Sequence, residues 1–167
     1  METFQTIIVM LAFGTFILAL LNEIALEAYQ YAADSVGKKF AAAIEQEATA
    51  AGQLLAFFHV YADVVNNPPF IGGCPLQNTA VESDDTHPAL RQSAQQSLHN
   101  TLEMMKRIIE EGIRQGEFKA GIDSDALATF TLSLLEGGIL LCNLEGSNRH
   151  MTMNMASLAA HLRQYCC

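Results

Sequence analysis

Apolar residues recur every three or four positions through the second half of the chain. This spacing is shared by Leu90, Ala94, Leu98, Leu102, Met105, Ile109 and Ile113. It predicts a long amphipathic helix that Asp85 or Thr86 caps and that ends at Gly116. Two further helices are predicted by the sets Leu127, Phe130, Leu134, Leu135, Ile139 and Cys142, and Met151, Met155, Leu158, Leu162 and Tyr165. Asp123 is the expected cap of the first of these two. No segment alternates with period two, so we expect an all-α fold.

The first half of the chain also favours helix. Residues 22–66 are rich in Ala, Glu, Leu and Gln and contain no proline. Gly37 and the polar residues before it predict a break near residues 34–37. An aromatic face at helical spacing follows, formed by Leu54, Phe57, Phe58 and Tyr61. Prolines at 68 and 69 then end the helix, and a short helix is expected from Pro75 to about Ser83.

Residues 7–21 form an apolar run, and no charged residue occurs between Glu2 and Glu23. A helix of that length is just long enough to cross a bilayer, which takes roughly 20 residues. The first basic residue is Lys38, however, so the segment lacks the basic start of a signal peptide and the basic flank of a membrane anchor. A helix buried on all sides, in this core or against a partner subunit, has the same pattern. Both interpretations stay open, and the membrane is the less favoured.

The chain is acidic, with 18 Asp and Glu against 9 Lys and Arg and a formal net charge of −9. Its basic residues are scattered, so we do not expect this chain to bind nucleic acid by itself. Half of its 167 residues are hydrophobic, which is enough for one sizeable core. The four cysteines lack the CxxC spacing of zinc and redox sites, which favours a reduced, cytoplasmic protein.

The sequence offers little support for catalysis. Two pairs stand four residues apart on a helix face, His59 with Asp63 and His99 with Glu103. Each pair supplies only two ligands, whereas zinc sites use three or four. Cys74 lies in a glycine-rich loop where a lowered thiol pKa is conceivable, but no neighbouring residue is identified as its base. We therefore expect no catalytic residue, no metal and no cofactor, and we rank a small helical enzyme using Cys74 last.

A longer pattern around this loop is more specific than any short motif. It reads NPPFIGGCPLQN over residues 67–78, AVE over residues 80–82 and DDTHPALR over residues 84–91, with QGEF at residues 115–118 and LEGG at residues 135–138. This pattern resembles the ligand-binding and dimerisation domain of tetracycline-repressor-like (TetR/AcrR) transcriptional regulators, in the branch with a G-G-C-P-L loop before the long helix. The likeness spans residues 41–165, about three quarters of the chain.

The resemblance implies both a dimer and a pocket. The last two long helices would pair with those of a second copy as a four-helix bundle, and the helices before them would enclose a small apolar effector. The implied pocket wall comprises Phe58, Tyr61, Cys74, Leu102, Met105, Ile109, Phe130 and Leu134. The implied dimer interface comprises Leu127, Leu135, Gly137, Gly138, Leu141, Met155, Leu158 and Leu162.

The beginning of the chain departs from the family, whose members carry an N-terminal three-helix module with a DNA-reading helix-turn-helix. Here 28 residues precede Tyr29, and they contain no lysine or arginine. We therefore expect that module to be absent or replaced. Residues 1–40 are interpreted as an apolar helix with a degenerate linker, and residues 41–167 as the ligand-binding and dimerisation domain.

Together these features predict a homodimeric, cytoplasmic effector-binding module of a transcriptional regulator that does not bind DNA by itself. Such a module would also be able to pair with a full-length regulator of the same family and block it. The alternative is a membrane-tethered helical interaction or sensor protein anchored by residues 4–21.

Overall fold

Helices make up nearly all of the described chain. The computed structural model describes residues 2–83 and 87–167. Over these ranges the helices are α1 (Glu2–Glu45), α2 (Ala50–Val60), α3 (Pro75–Glu82), α4 (Pro88–Arg114), α5 (Ser124–Glu145) and α6 (Arg149–Leu162). The only β-type pairing in the described residues is an isolated antiparallel bridge between Phe118 and Cys166. The predicted all-α fold is confirmed.

Capping residues explain where α5 begins and ends. Asp123 Oδ1 accepts a hydrogen bond from the backbone N–H of Ala126 at 3.0 Å, so Asp123 caps this helix as predicted. Gly146 ends it with a φ of 64°, a left-handed conformation that glycine adopts without steric cost. Asp85 and Thr86, the predicted caps of α4, lie outside the described residues.

The first helix, α1, is continuous, and the break predicted near residues 34–37 is wrong. Val36 and Phe40 are buried in the core on either side of Gly37. Their packing outweighs the low helix propensity of glycine, which costs only about 1 kcal/mol. The chain breaks later, at residues 46–49, where Thr49 Oγ1 accepts a hydrogen bond from Gly52 N at 3.1 Å and caps α2.

The second helix, α2, lies at the centre of the core and contacts α1, α4, α5 and α6. Leu54, Phe57 and Phe58 of this helix are fully buried. The ring of Phe57 packs on that of Phe40 in α1, with centroids 4.7 Å apart. Since burial of each large apolar side chain stabilises the fold by about 1.5–3 kcal/mol, α2 is the element around which the others are held.

The turn between α4 and α5 ties three parts of the fold together. Glu117 Oε2 accepts a hydrogen bond from Ala50 N at 2.6 Å, at the start of α2. Lys119 N donates to the carbonyl oxygen of Tyr165 at 2.8 Å, which holds the C-terminal residues. Phe118 is buried so close to Gly112 that a Cβ at Gly112 would lie 2.8 Å from its ring. The QGEF segment is therefore a packing element of the core.

The N-terminal part of α1 lies outside this core. Burial begins at Tyr29, and residues 4–28 are exposed except for the half-buried Ile17 and Leu26. Two helices in the described chain are long and apolar enough to cross a membrane, namely α1, whose apolar window is 0% buried, and α5, whose window is 44% buried. The burial of α5 identifies it as a core helix. The side chains in the apolar part of α1, in contrast, do not pack against any other described part of the chain.

Candidate functional site

A cavity lies between α1, α4, α5 and the start of α3, beside the end of α2 and the loop that precedes α3. Its volume is about 70 Å³, and it is partly open to solvent. The wall is formed by Tyr29, Ala33, Val36, Gly37, Phe40, Tyr61, Cys74, Pro75, Leu76, Ser97, Thr101, Leu132, Leu135 and Glu136. Most of these side chains are apolar or aromatic, with few polar groups among them, a composition typical of small-molecule sites.

The loop before α3 brings Cys74 to this cavity. Gly72 and Gly73 have φ angles of 95° and 94°, which only glycine adopts without strain. Gly73 also lies directly against α5, because a Cβ at this position would be 2.8 Å from Nδ2 of Asn143. Both glycines are therefore needed to hold Cys74 next to Glu136 of α5.

Polar groups meet at one part of the cavity wall. Cys74 Sγ donates a hydrogen bond to Glu136 Oε1 at 3.1 Å, and Gln77 Nε2 donates to the Glu136 backbone oxygen at 2.9 Å. The second carboxyl oxygen, Glu136 Oε2, is buried with no hydrogen-bond partner in the protein, and the same is true of the hydroxyl groups of Tyr29 and Tyr61. Such groups are rare in folded proteins and call for an explanation.

Burial dominates the acid–base properties of this cluster. It raises the pKa of the Glu136 carboxyl and, together with the nearby Glu136 carboxylate, raises the pKa of the Cys74 thiol to about 12. The pKa of Tyr61 is raised for the same reason, with smaller contributions from Cys74 and Glu136. Cys74 is therefore a neutral thiol at physiological pH, which is the opposite of an activated nucleophile.

The raised pKa of Glu136 gives a prediction about stability. We expect Glu136→Gln to raise the free energy of unfolding at about pH 8 and to change it little at about pH 4. The native protein keeps the Glu136 proton to a higher pH than the unfolded chain does. The stability contributed by this proton is therefore complete below the unfolded-state pKa and is lost as the pH rises through the native one.

Urea unfolding at both pH values measures this effect, and Glu27→Gln on the exposed part of α1 is the matched control. An unfolding free energy that depends on pH equally in the Glu136→Gln variant and in the control would contradict the assignment.

The residues expected in the pocket have diverse positions in the structure. Tyr61 and Cys74 line the cavity. Phe58, Met105 and Ile109 are fully buried in the core and do not belong to the wall. Leu102 lies in a shallow groove between α4 and α5, Leu134 is half-buried, and Phe130 stacks beside His161 with ring centroids 4.7 Å apart. The structure therefore brings only two of the eight residues together at the cavity.

Most of the remaining wall comes from residues of α1 and α5 that the sequence analysis did not assign to the pocket. Tyr29, Val36 and Phe40 follow one another at helical spacing, and this stripe was a usable signal within the segment interpreted as a linker. Glu136 is the only charged residue between Asp125 and Glu145. A lone carboxyl in an otherwise apolar helix indicates a group with a specific role.

The candidate dimer residues fall into two groups. Leu127, Leu135, Leu158 and Leu162 are at most 4% exposed within a single chain, so they belong to its own core. Gly138 is also buried, and a Cβ there would lie 3.2 Å from Met151 of the same chain. Gly137 and Met155 are half-buried and Leu141 is exposed. The pairing itself stays a prediction.

An exposed apolar stripe nevertheless runs along α5. It follows the helical spacing of Phe130, Leu134, Gly137, Leu141 and Leu144, of which Leu141 and Leu144 are 42% and 76% exposed. We call these five residues the α5 stripe. Gly137 has no atom within 4 Å of its Cβ position, so the stripe has a shallow open place at its centre.

No cluster of three or more metal-binding side chains occurs in the part of the chain that the structure describes. Asp63, which the sequence analysis paired with His59 as a possible metal ligand, forms hydrogen bonds within the protein. Its Oδ1 accepts from Nδ2 of Asn66 at 2.9 Å and from Nδ2 of Asn148. These bonds lower the pKa of Asp63 and tie the end of α2 to the start of α6.

Two family models match the chain. The model described as "Tetracyclin repressor-like, C-terminal domain" matches residues 50–158. The model described as "Putative Holin-like Toxin (Hol-Tox)" matches residues 1–26, the exposed apolar part of α1. No curated protein sequence matches the chain.

Solved structures agree with the first of these matches. A TetR transcriptional regulator from Chloroflexus aurantiacus is 30% identical, with a TM-score of 0.81 over 86% of this chain and 73% of that one. A TetR-family transcriptional regulator from Cytophaga hutchinsonii is 29% identical, with a TM-score of 0.76 over 84% of this chain and 70% of that one.

Proposed function

The chain belongs to the tetracycline-repressor-like transcriptional regulators through their C-terminal domain, and we propose that it is an effector-binding and dimerisation module with a regulatory and not a catalytic role. Its site of action is the cytoplasm, which agrees with the free cysteines at positions 74 and 142, neither of which forms a disulfide. The single observation that carries the proposal is the cavity between α1, α3, α4 and α5, with its largely apolar wall.

Binding in this cavity would be transmitted through α1. Tyr29, Val36 and Phe40 form part of the wall, and the same continuous helix extends outward to residue 4. An effector that packs against these side chains stabilises one position of α1 over others, because it can shift a conformational equilibrium only by binding one state better. The exposed segment of α1 is therefore the output of the module.

Residues 1–28 would not add DNA recognition to this output. Residues 1–28 contain no basic side chain, and phosphate contacts by Lys and Arg supply most of the affinity of DNA-binding proteins. The module would act through a homodimer, or by pairing with a full-length regulator of the same family through the α5 stripe.

The cavity is tested by filling it. Gly37 lies in the wall, and a Cβ at this position meets no atom within 4 Å. We expect Gly37→Leu to weaken binding of a neutral apolar fluorophore, N-phenylnaphthylamine, at least about tenfold, while the free energy of unfolding rises by up to about 1 kcal/mol because leucine favours helix over glycine.

Gly14→Leu makes the same change in the same helix outside the cavity, again where the Cβ position is open. It should leave the fluorescence titration unchanged. Equal affinities for both variants and the parent chain would remove the cavity as the binding site.

A second candidate function, tethering of this module to a membrane, is favoured by the exposed segment of α1. Twelve large apolar side chains between residues 4 and 24 are 43–69% exposed. The span is long enough to cross a bilayer, and it coincides with the match to the putative holin-like toxin model. Tethering is compatible with effector binding, because the two functions use different parts of α1.

A further inference from the structure

Three buried polar atoms without a hydrogen bond of good geometry in the protein belong to residues of the cavity wall. They are Glu136 Oε2 and the hydroxyl oxygens of Tyr29 and Tyr61. Ser97 lies close to Tyr29 and Cys74 lies close to Tyr61. The Ser97 hydroxyl proton is already donated to the Ser93 backbone oxygen at 3.2 Å, and the Cys74 thiol proton to Glu136 Oε1 at 3.1 Å, so both tyrosine oxygens still lack a donor. An unsatisfied buried group of this kind destabilises a folded protein. All three can accept a hydrogen bond.

The charge of the wall selects among the groups that would satisfy these acceptors. Glu136 is the only carboxyl in the wall, and no lysine, arginine or histidine of the described chain lines the cavity. An anionic ligand would meet this carboxyl with no compensating cation. A neutral hydroxyl has one proton to donate, whereas a primary ammonium group has three. The wall also contains the aromatic rings of Tyr29, Phe40 and Tyr61, a residue type that attracts cations.

We infer that the effector is a lipophilic primary amine, an aromatic or alicyclic body with one ammonium group that donates to Glu136 Oε2, Tyr29 and Tyr61. This inference rests on the proposed function and names the class of its ligand. The apolar wall formed by Val36, Leu132 and Leu135 accommodates the body of the molecule. The ammonium charge compensates the buried Glu136 carboxylate.

The inference predicts a specific order of affinity. Hydrogen bonds to charged groups contribute more binding free energy than hydrogen bonds between neutral groups. An amine should therefore bind at least about tenfold more tightly than the alcohol with the same body. The corresponding carboxylate should not bind, because its charge has the same sign as that of Glu136.

The test is isothermal titration calorimetry of the intact chain with naphthylmethylamine, naphthylmethanol and naphthoate at neutral pH. In the Glu136→Gln variant the preference for the amine over the alcohol should vanish, while the alcohol still binds. Tyr61→Phe, which removes only one acceptor, should reduce the preference in part. Glu27→Gln removes the same charge from an exposed position, so it separates the local contact from general attraction to an acidic protein.

Each outcome is decisive. If the amine and the alcohol bind equally in the parent chain, or if Glu136→Gln keeps the preference, the amine assignment is overturned while effector binding stands. If none of the three compounds binds, the proposed effector function fails with it. Thermal unfolding of each variant checks the fold, and Tyr61→Phe gives a second reading if Glu136→Gln is unstable.

Discussion

A chain that begins at Asn22 should stay in solution without detergent, whereas the intact chain should sediment with membranes and resist extraction by alkaline carbonate. The reason is the exposed segment of α1, where twelve large apolar side chains are left 43–69% exposed by the described chain. Covering them is worth roughly 10 kcal/mol, far more than thermal energy. A bilayer provides that cover for an uncharged helix of this length.

A more specific form of this experiment keeps the intact chain and introduces charges into the apolar segment. Leu11→Lys combined with Phe16→Lys should release the intact chain from membranes, because each charge near the centre of a bilayer costs about 2.5–3.5 kcal/mol. Gln95→Lys combined with Gln96→Lys adds the same charge on the exposed face of α4 and should leave the distribution unchanged. A soluble intact chain of defined size would show that a second protein surface covers the segment.

The continuity of α1 connects this segment to the cavity. A break at Gly37 would have separated them, but the helix passes from the exposed residues through Tyr29 and Phe40 without interruption. With a rise of about 1.5 Å per residue, the 44 residues of α1 span roughly 66 Å. A shift of its cavity end therefore moves the membrane-facing or partner-facing end as one body.

The ends of the helices could be predicted where a local chemical signal marks them. Asp123 has a side chain that satisfies a free N–H at the start of α5, and Gly146 reaches the left-handed conformation at its end. Both signals act over a few residues, so the sequence contains them in full. Gly37 misled the prediction because tertiary packing of Val36 and Phe40 decided the conformation, and packing depends on residues far away in the chain.

The cavity was harder to predict for the same reason. Helical periodicity identified Phe58 and Met105 as inward-facing, and both are indeed fully buried. Periodicity does not show whether a buried side chain meets another side chain or an open space, since pocket and core have the same composition. Cys74 was assigned to the pocket because it belongs to the loop pattern of the family. Glu136 was not assigned to it, although it is the only charged residue among apolar neighbours in α5.

A single charge in the α5 stripe should convert the proposed dimer into monomers. Leu141 is exposed in one chain at the middle of the stripe, and in a two-fold interface each substitution occurs twice. Leu141→Glu would bury two carboxylates near each other without partners, which should weaken dimerisation by about 4 kcal/mol, or roughly a thousandfold. Sedimentation equilibrium measures the change, and co-purification with a tagged full-length regulator of the family should be lost in parallel.

Two further variants separate the interface from the fold. Val81→Glu introduces the same charge on the exposed face of α3, where Val81 is 80% exposed, and should leave the mass of the dimer unchanged. Gly137→Leu fills the open place at the centre of the stripe, where a Cβ has no neighbour within 4 Å in one chain. It should therefore keep or raise the helix stability of a monomer while it separates two closely packed copies. If Leu141→Glu and Gly137→Leu both remain dimers, the copies associate through another surface, and the stripe is free for a different partner.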